Sequence, residues 1–321
     1  MSSATSKSPR KVQLLGKDIL PGSSQTLSFK VARLFTRNDI QVPIHVERAM
    51  TDGPVLLLLG GVHGDEINGV EIVRRLVHED LHIPECGTVI AMPVFNIFGF
   101  LDATREFPDG RDLNRSFPGS EDGSLASQFA YRFKKQIAPH VDYVIDFHTG
   151  SSYRSNMPQI RCEATNERAL TLAKVFGAPY IIYSSVIKKS LRELFYKLGK
   201  TYLLFEGGTA NWYDQEAIAC GVEGTRRIMA TLGMRPYSNP ATLNPPVVIE
   251  KSRWIRAPQS GMLQISVANG TYVQAKTVLG IISDPFGSSA RPFRAPRAGW
   301  VFCVSYAPVV NRGDALVHLG W

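Results

Sequence analysis

The sequence predicts a mixed α/β fold, a mostly parallel sheet flanked by helices, followed by a small C-terminal all-β sandwich. Three observations predict it. Continuous apolar runs such as Val55–Leu59 alternate with helical patterns over the first two-thirds of the 321 residues. Pro236, Pro240, Pro245 and Pro246 then punctuate a polar stretch from Gly233 to Pro246. Beyond it, short β segments carry an internal repeat: Arg256-Ala-Pro-Gln-Ser-Gly-Met-Leu recurs as Arg294-Ala-Pro-Arg-Ala-Gly-Trp-Val. The expected organisation is a polar N-terminal tail over 1–20, a main domain over 21–245 and a β domain over 246–321.

In chain order, Val55–Leu59 reads as a buried central strand, because only a strand covered on both faces is apolar at every position. A helix follows from about Asp65, with Ile67, Val70, Ile72, Val73, Leu76 and Val77 on its apolar face. Thr88–Val94 is a second strand. Gly99–Asp122 has no period and is rich in Gly, Pro, Asp and Arg; loops of that length are commonly functional. Ser124–Ile137 is amphipathic helix, and Val141–Phe147 a strand ending at His148. Ala164–Phe176 and Ser190–Leu198 read as helices, and Thr201–Phe205 as a strand ending at Glu206-Gly-Gly. In the C-terminal part each repeat leads to a second apolar pair, Val273…Leu279 and Val310…Leu316, as expected of a two-fold sandwich.

Composition narrows the function classes. No run approaches the length needed to span a bilayer, and the Ser- and Lys-rich N-terminus lacks the apolar core of a secretory signal. The expectation is a cytoplasmic protein with no membrane partner. Cys86, Cys162, Cys220 and Cys303 form no CxxC pair, against a disulfide framework or a thiolate metal site. The net charge of +8 is spread along the chain without a nucleic-acid-binding signature, so no nucleic-acid partner is expected. A homo-oligomer is left open.

The chemistry gathers where strands end. His63 and Glu66, three residues apart after the first strand, share one face of the incipient helix and reach one cation. Zinc takes such nitrogen and oxygen ligands and, in catalytic sites, needs a third protein ligand beside an open position. His148 supplies that third ligand, giving one Zn2+ per chain. In open α/β sheets ligands collect at the carboxyl ends of strands; His63, Glu66, His148 and Glu206 all follow such ends. Glu206 is a carboxylate able to take a proton from an activated water and pass it to a leaving amine. The 104–115 loop carries Arg105, Arg111, Arg115 and Asn114, and guanidinium groups grip carboxylates or a developing oxyanion. A rival motif, His78-Glu-Asp-Leu-His82, has the H-E-x-x-H spacing of zinc proteases. It falls at a helix end before Pro84 with no third ligand in view, and is read as coincidence.

His63-Gly-Asp-Glu66, Asp112-Leu-Asn-Arg115-Ser-Phe-Pro-Gly119, Asp146-Phe-His148 and Phe205-Glu206-Gly-Gly together resemble the succinylglutamate desuccinylase/aspartoacylase family of the zinc carboxypeptidase superfamily. The match covers roughly 50–230. The resemblance implies zinc on His63, Glu66 and His148, Glu206 as general base and acid, and Asn114 with Arg115 on the substrate carboxylate. It also implies an arginine that polarises the scissile carbonyl, with Arg105 the first choice and Arg111 the second. The expected substrate is a small N-acyl amino acid with a free carboxylate. A carboxypeptidase or amidase acting on a peptide-like molecule uses the same atoms, and a non-catalytic metal- or ligand-binding protein is the rival of another class; Glu206 argues against the latter. The C-terminal repeat is similar in pattern to lipoyl or biotinyl carrier domains, but the Ser283–Ser289 turn has no lysine to carry a cofactor.

Overall fold

The computed structural model describes residues 11–237 and 244–321. The strands are β1 Val12–Leu14, β2 Lys17–Ile19, β3 Ser24–Arg33, β4 Asp39–Arg48, β5 Thr51–Gly60, β6 Cys86–Met92, β7 Tyr143–Gly150, β8 Arg154–Cys162, β9 Tyr180–Tyr183 and β10 Thr201–Thr209. They continue as β11 Val247–Ile249, β12 Ser252–Arg256, β13 Gly261–Ile265, β14 Tyr272–Val273, β15 Val278–Ser283, β16 Arg291–Arg294, β17 Gly299–Ser305, β18 Val309–Val310 and β19 Ala315–Gly320. The helices are α1 Ile67–His78, α2 Ile97–Asp102, α3 Leu125–Gln136, α4 Glu167–Phe176, α5 Leu191–Lys197 and α6 Gln215–Thr231.

The main sheet runs β3-β4-β6-β5-β7-β10-β8, with β9 and β11 beyond β8. Its centre, β6-β5-β7-β10, is parallel, while β3, β4 and β8 enter antiparallel. The apolar run in β5 explains why this centre is so well determined. Val55, Leu57 and Leu59 pack on one side with residues of α3 and α5. Leu56 and Leu58 pack on the other with α1, α4 and α6. Burying a Leu side chain fully contributes about 1.5–3 kcal/mol, so β5 contributes to the core on both of its faces. Helix α6 comes close to its neighbours through glycine: a Cβ at Gly224 would lie 2.3 Å from the Phe176 ring and one at Gly221 2.4 Å from Ile72.

The internal repeat has a structural meaning. Each copy is the end of one strand, a turn and the start of the next: β12 into β13, and β16 into β17. The pairings are reciprocal, since β14 pairs with β17 and β18 with β13. Their core is reciprocal too, with Ile255, Ala257, Val273 and Leu279 facing Phe293, Ala295, Val310 and Leu316 in one cluster. Strand β17 also pairs with β8, so β12, β14, β17 and β19 are continuous with the main sheet, while β16-β15-β13-β18 form a separate sheet against them.

Two expectations need correcting. Of the tail expected over 1–20, residues 1–10 lie outside the described residues, but β1 and β2 form a hairpin whose Val12, Leu14 and Ile19 are buried in the main core. The alternation of those apolar residues was the missed signal. The loop expected over Gly99–Asp122 holds most of α2 and a short 3-10 turn at Leu113–Arg115. Residues 238–243 of the Pro-punctuated stretch lie outside the described residues. Among the described residues, no helix is long and apolar enough to cross a membrane.

Candidate active site

Strand periodicity aims the site residues. On β7, Asp146 and His148 share a face with Val144, the α3/α5 side of the sheet. On β10, Tyr202, Leu204 and Glu206 project to the same side, and Glu206 is in direct register with His148. Pairing to both neighbouring strands shifts just after Glu206, where Gly208 takes φ +78°. A Cβ there would lie 2.4 Å from Asn68 Nδ2, so this bulge requires glycine. His63 and Glu66 come from the turn between β5 and α1, with Glu66 at the helix N-cap. That turn crosses the start of α2 so closely that a Cβ on Gly64 would meet the Gly99 carbonyl carbon at 1.7 Å.

The two histidines and Glu66 converge. Nδ1 of His63 lies 2.8 Å from Glu66 Oε1, and Nδ1 of His148 lies 2.8 Å from Glu66 Oε2. The two Nδ1 atoms are 3.2 Å apart. All three side chains are buried. Each imidazole turns its other nitrogen to a carboxylate: His148 Nε2 to Asp146 Oδ2 at 2.8 Å, and His63 Nε2 to Asp112 Oδ1 at 3.2 Å. Tyr202 Oη donates to the same Asp146 oxygen. The Thr149 backbone N–H and Ser151 Oγ donate to Glu66, at 3.1 and 3.2 Å.

Arg105 bridges this cluster to the loop. Its Nε and Nη2 donate to Asp112 Oδ2 at 3.2 and 2.9 Å, and Nη1 donates to Ser151 Oγ at 2.7 Å. Nη1 is also 3.3 Å from Glu66 Oε1 and 3.1 Å from His63 Nδ1. The electrostatics follow. Burial works against the charge on Glu66, but His63 and His148 overcome it and hold the carboxyl well below its ordinary value. Burial likewise opposes a charged His148, and Asp146 with Glu66 overcomes it, raising that imidazole well above its ordinary value. His63 is raised by Glu66 and Asp112 against its burial.

The donor set fits zinc. Ligand atoms on a tetrahedron with bonds of about 2.0–2.1 Å lie roughly 3.3 Å apart, close to the observed spacing of the Nδ1 and carboxylate atoms. Both histidines have a carboxylate behind them, the arrangement that in metal sites fixes the tautomer of a ligand and strengthens it.

These residues line a cavity of ≈ 250 Å³ with Glu206, Arg105, Asn114 and Arg115. Glu206 Oε2 accepts from Asn156 Nδ2 at 2.6 Å; Arg161 Nε approaches Oε1 at 3.4 Å without hydrogen-bond geometry. Asn114 uses Oδ1 to accept from the Leu191 N–H at the start of α5, leaving Nδ2 free to donate. Arg115 is exposed, with Nη1 on the Asn114 carbonyl at 2.7 Å. Arg111 is the exception. It does not line the cavity; it is exposed and drawn 3.4 Å from Asp109 beside it in the chain. The H-E-x-x-H spacing is broken as well, because α1 ends at His78 and Asp80 takes φ +56°.

Sequence reasoning missed several lining residues. Arg154, Asn156 and Arg161 come from β8, Arg192 from α5, and Trp254 and Cys303 from the C-terminal strands β12 and β17. Asp146 had a readable signal, since it lies two residues before His148 on a buried strand and shares its face.

Comparisons with known proteins find relatives of this chain. The sequence model of the succinylglutamate desuccinylase/aspartoacylase catalytic domain matches residues 52–232. The chain is 29% identical to N-alpha-acetyl-L-2,4-diaminobutyric acid deacetylase of Halomonas elongata over 296 residues, 86% of this chain and 84% of the relative. It is similar in fold to the product-bound ectoine utilization protein EutE (DoeB) of Ruegeria pomeroyi, with a TM-score of 0.83 at 22% identity over 97% of this chain and 98% of that one. The succinylglutamate desuccinylase/aspartoacylase of Rhodobacter sphaeroides gives a TM-score of 0.81 at 24% identity over 93% and 95%. The chain therefore belongs to the succinylglutamate desuccinylase/aspartoacylase family and is a hydrolase of N-acyl amino acid amide bonds.

Proposed function

We propose that the chain hydrolyses a small N-acyl amino acid with a free carboxylate, using one zinc on His63, Glu66 and His148 and Glu206 as the group that moves the proton. The observation that carries this reading is the position of Glu206: in register with His148 and open to the same cavity as the three convergent donors. A protein that only bound metal would need no carboxylate there.

Bound zinc supplies a Lewis acid and a water whose pKa falls towards neutrality. Glu206 takes the proton of the attacking water and returns it to the departing amine nitrogen. Asn156 holds Oε2 in place for both transfers. Arg105, braced by Asp112 through Nε and Nη2, keeps Nη1 at the ligand cluster, where charge develops on the carbonyl oxygen. Asn114 Nδ2 and the Arg115 guanidinium bind the substrate carboxylate at the loop side.

The cavity is walled in part by Trp254 and Cys303, and its volume of ≈ 250 Å³ suits a small acyl amino acid better than a peptide. Arg154, Arg161 and Arg192 make it basic, which favours carboxylate-bearing substrates. The similarity to an N-alpha-acetyl-L-2,4-diaminobutyric acid deacetylase supports an N-acyl amino acid substrate. The test is release of free amine from a panel of N-acetyl, N-succinyl and other N-acyl amino acids, with dipeptides alongside. Turnover of one acyl amino acid is expected. Cleavage confined to dipeptides would replace this reading with the carboxypeptidase one.

A further inference from the structure

Beyond the far end of helix α1 lies a second cluster of side chains of metal-ligating type. His45 and Glu47 alternate on β4 with the buried Val42, Ile44 and Val46, so both project to the side opposite that core face. There β4 pairs with β6, placing His45 opposite Ala91 and Glu47 opposite Val89, both residues of the α1-side core. His82 arrives from the turn that follows α1 and is 1% exposed. One nitrogen or carboxylate oxygen from each of the three lies within 4.8 Å of the others. The His45 and His82 ring centroids are 5.1 Å apart, and His45 Nε2 is 2.9 Å from Glu47 Oε1.

The hydrogen bonding of His82 is unusual. Its Nδ1 donates to the Leu76 carbonyl at 3.1 Å, which leaves the lone pair on Nε2. That Nε2 is buried and has no hydrogen-bond partner. A buried acceptor left unpaired is costly, so such a nitrogen points to a ligand. Each of the other two side chains also has an outer partner, Thr26 Oγ1 beside His45 Nδ1 and Ser24 Oγ donating to Glu47. Outer partners that fix ring orientation are the accompaniment of metal ligands. The His45 and Glu47 side chains keep 27% and 14% of their surface exposed, which gives a cation a way in.

We propose that His45, Glu47 and His82 form a second site for a divalent transition cation of the zinc class. Two imidazoles and a carboxylate select such an ion over magnesium or calcium, which prefer all-oxygen shells. The two sites lie at opposite ends of the 12-residue helix α1, roughly 18 Å apart along its axis. Among the described residues these three side chains make up the cluster, and its role is to clasp β4 to the turn after α1. Of the H-E-x-x-H spacing, His82 alone serves a metal.

The experiment counts zinc by atomic emission on the full chain after loading and dialysis, with cobalt(II) absorption as a second readout. His45→Gln and Glu47→Gln are the variants of choice because both side chains reach the surface, on the side of β4 away from Val42, Ile44 and Val46. Two zinc ions per wild-type chain are expected, one in either variant. A His63→Ala background separates the sites: there one zinc is expected to remain, and adding His45→Gln is expected to remove it. If His45→Gln takes no zinc from the His63→Ala chain, or if that chain holds none, the second site does not exist.

Discussion

Replacing Asp146 by Asn probes whether the carboxylate behind His148 decides which ring nitrogen is free. Asp146 is 0% exposed and its Oδ2 takes two bonds, from His148 Nε2 at 2.8 Å and from Tyr202 Oη. With the proton on Nε2, the lone pair of His148 lies on Nδ1, facing Glu66 and His63. Asparagine has two ways to fit, and both are poor. With its oxygen at Oδ2, its NH2 takes the place of Oδ1, a buried atom with no partner. With the amide reversed, its NH2 faces Nε2 and pushes the ring proton to Nδ1, where a metal would bind. Loss of such an outer carboxylate weakens metal affinity about 10–100-fold, which is about 1.4–2.8 kcal/mol. The assay is the zinc Kd by competition with a chromogenic chelator. Tyr202→Phe, which keeps the carboxylate, is expected to lose less than about tenfold, in line with one hydrogen bond. A folded Asp146→Asn chain with a Kd within twofold of wild type would refute the reasoning.

Other consequences can be measured on the same protein. Arg115→Ala is expected to raise KM for the acyl amino acid roughly 10–100-fold, the worth of a charge-assisted bond to a carboxylate, with kcat changed less. Arg111→Ala, outside the cavity, is expected to leave both parameters within about twofold; a larger effect would return Arg111 to the site. For pH, His63 and His148 are raised above the ordinary imidazole value of about 6.5. Their contribution to the metal-free fold is therefore fully present below that value and declines as pH rises through the raised ones. Zinc must displace those protons, so its affinity is expected to climb with pH over the same window, with proton release visible by calorimetry in buffers of different ionisation enthalpy. An affinity flat across that window would contradict the assignment of these two ligands.

What was legible in the sequence follows from what burial does to composition. Strands β5, β7 and β10 are covered on both faces, so their apolar runs stood out, and the polar residues that end them stood out with them. That is why His63, His148 and Glu206 could be read together. Strand β8 mixes Arg154, Ser155, Asn156, Gln159 and Arg161 with a few apolar residues, because one side of it lines the cavity. It has no run to notice, and Asn156 and Arg161 stayed hidden with it. Helix α6 was passed over because Gly221 and Gly224 interrupt its pattern, although close packing on Ile72 and Phe176 requires them. Trp254 reaches the cavity only through the pairing of β17 with β8, a contact between distant segments that no local period encodes. Spacing could not distinguish Arg105, whose side chain is 27% exposed against Asp112, from Arg111, which is 59% exposed against Asp109.

The central claim is that Glu206 moves the proton at a metal held by His63, Glu66 and His148. The most direct measurement sets zinc content beside turnover of the best acyl amino acid for wild type and Glu206→Gln. The account predicts equal zinc at the His63 site and a rate lower by at least about 100-fold in the variant, the lower range for loss of a general base. A Glu206→Gln chain that keeps its zinc and turns over at the wild-type rate would contradict it.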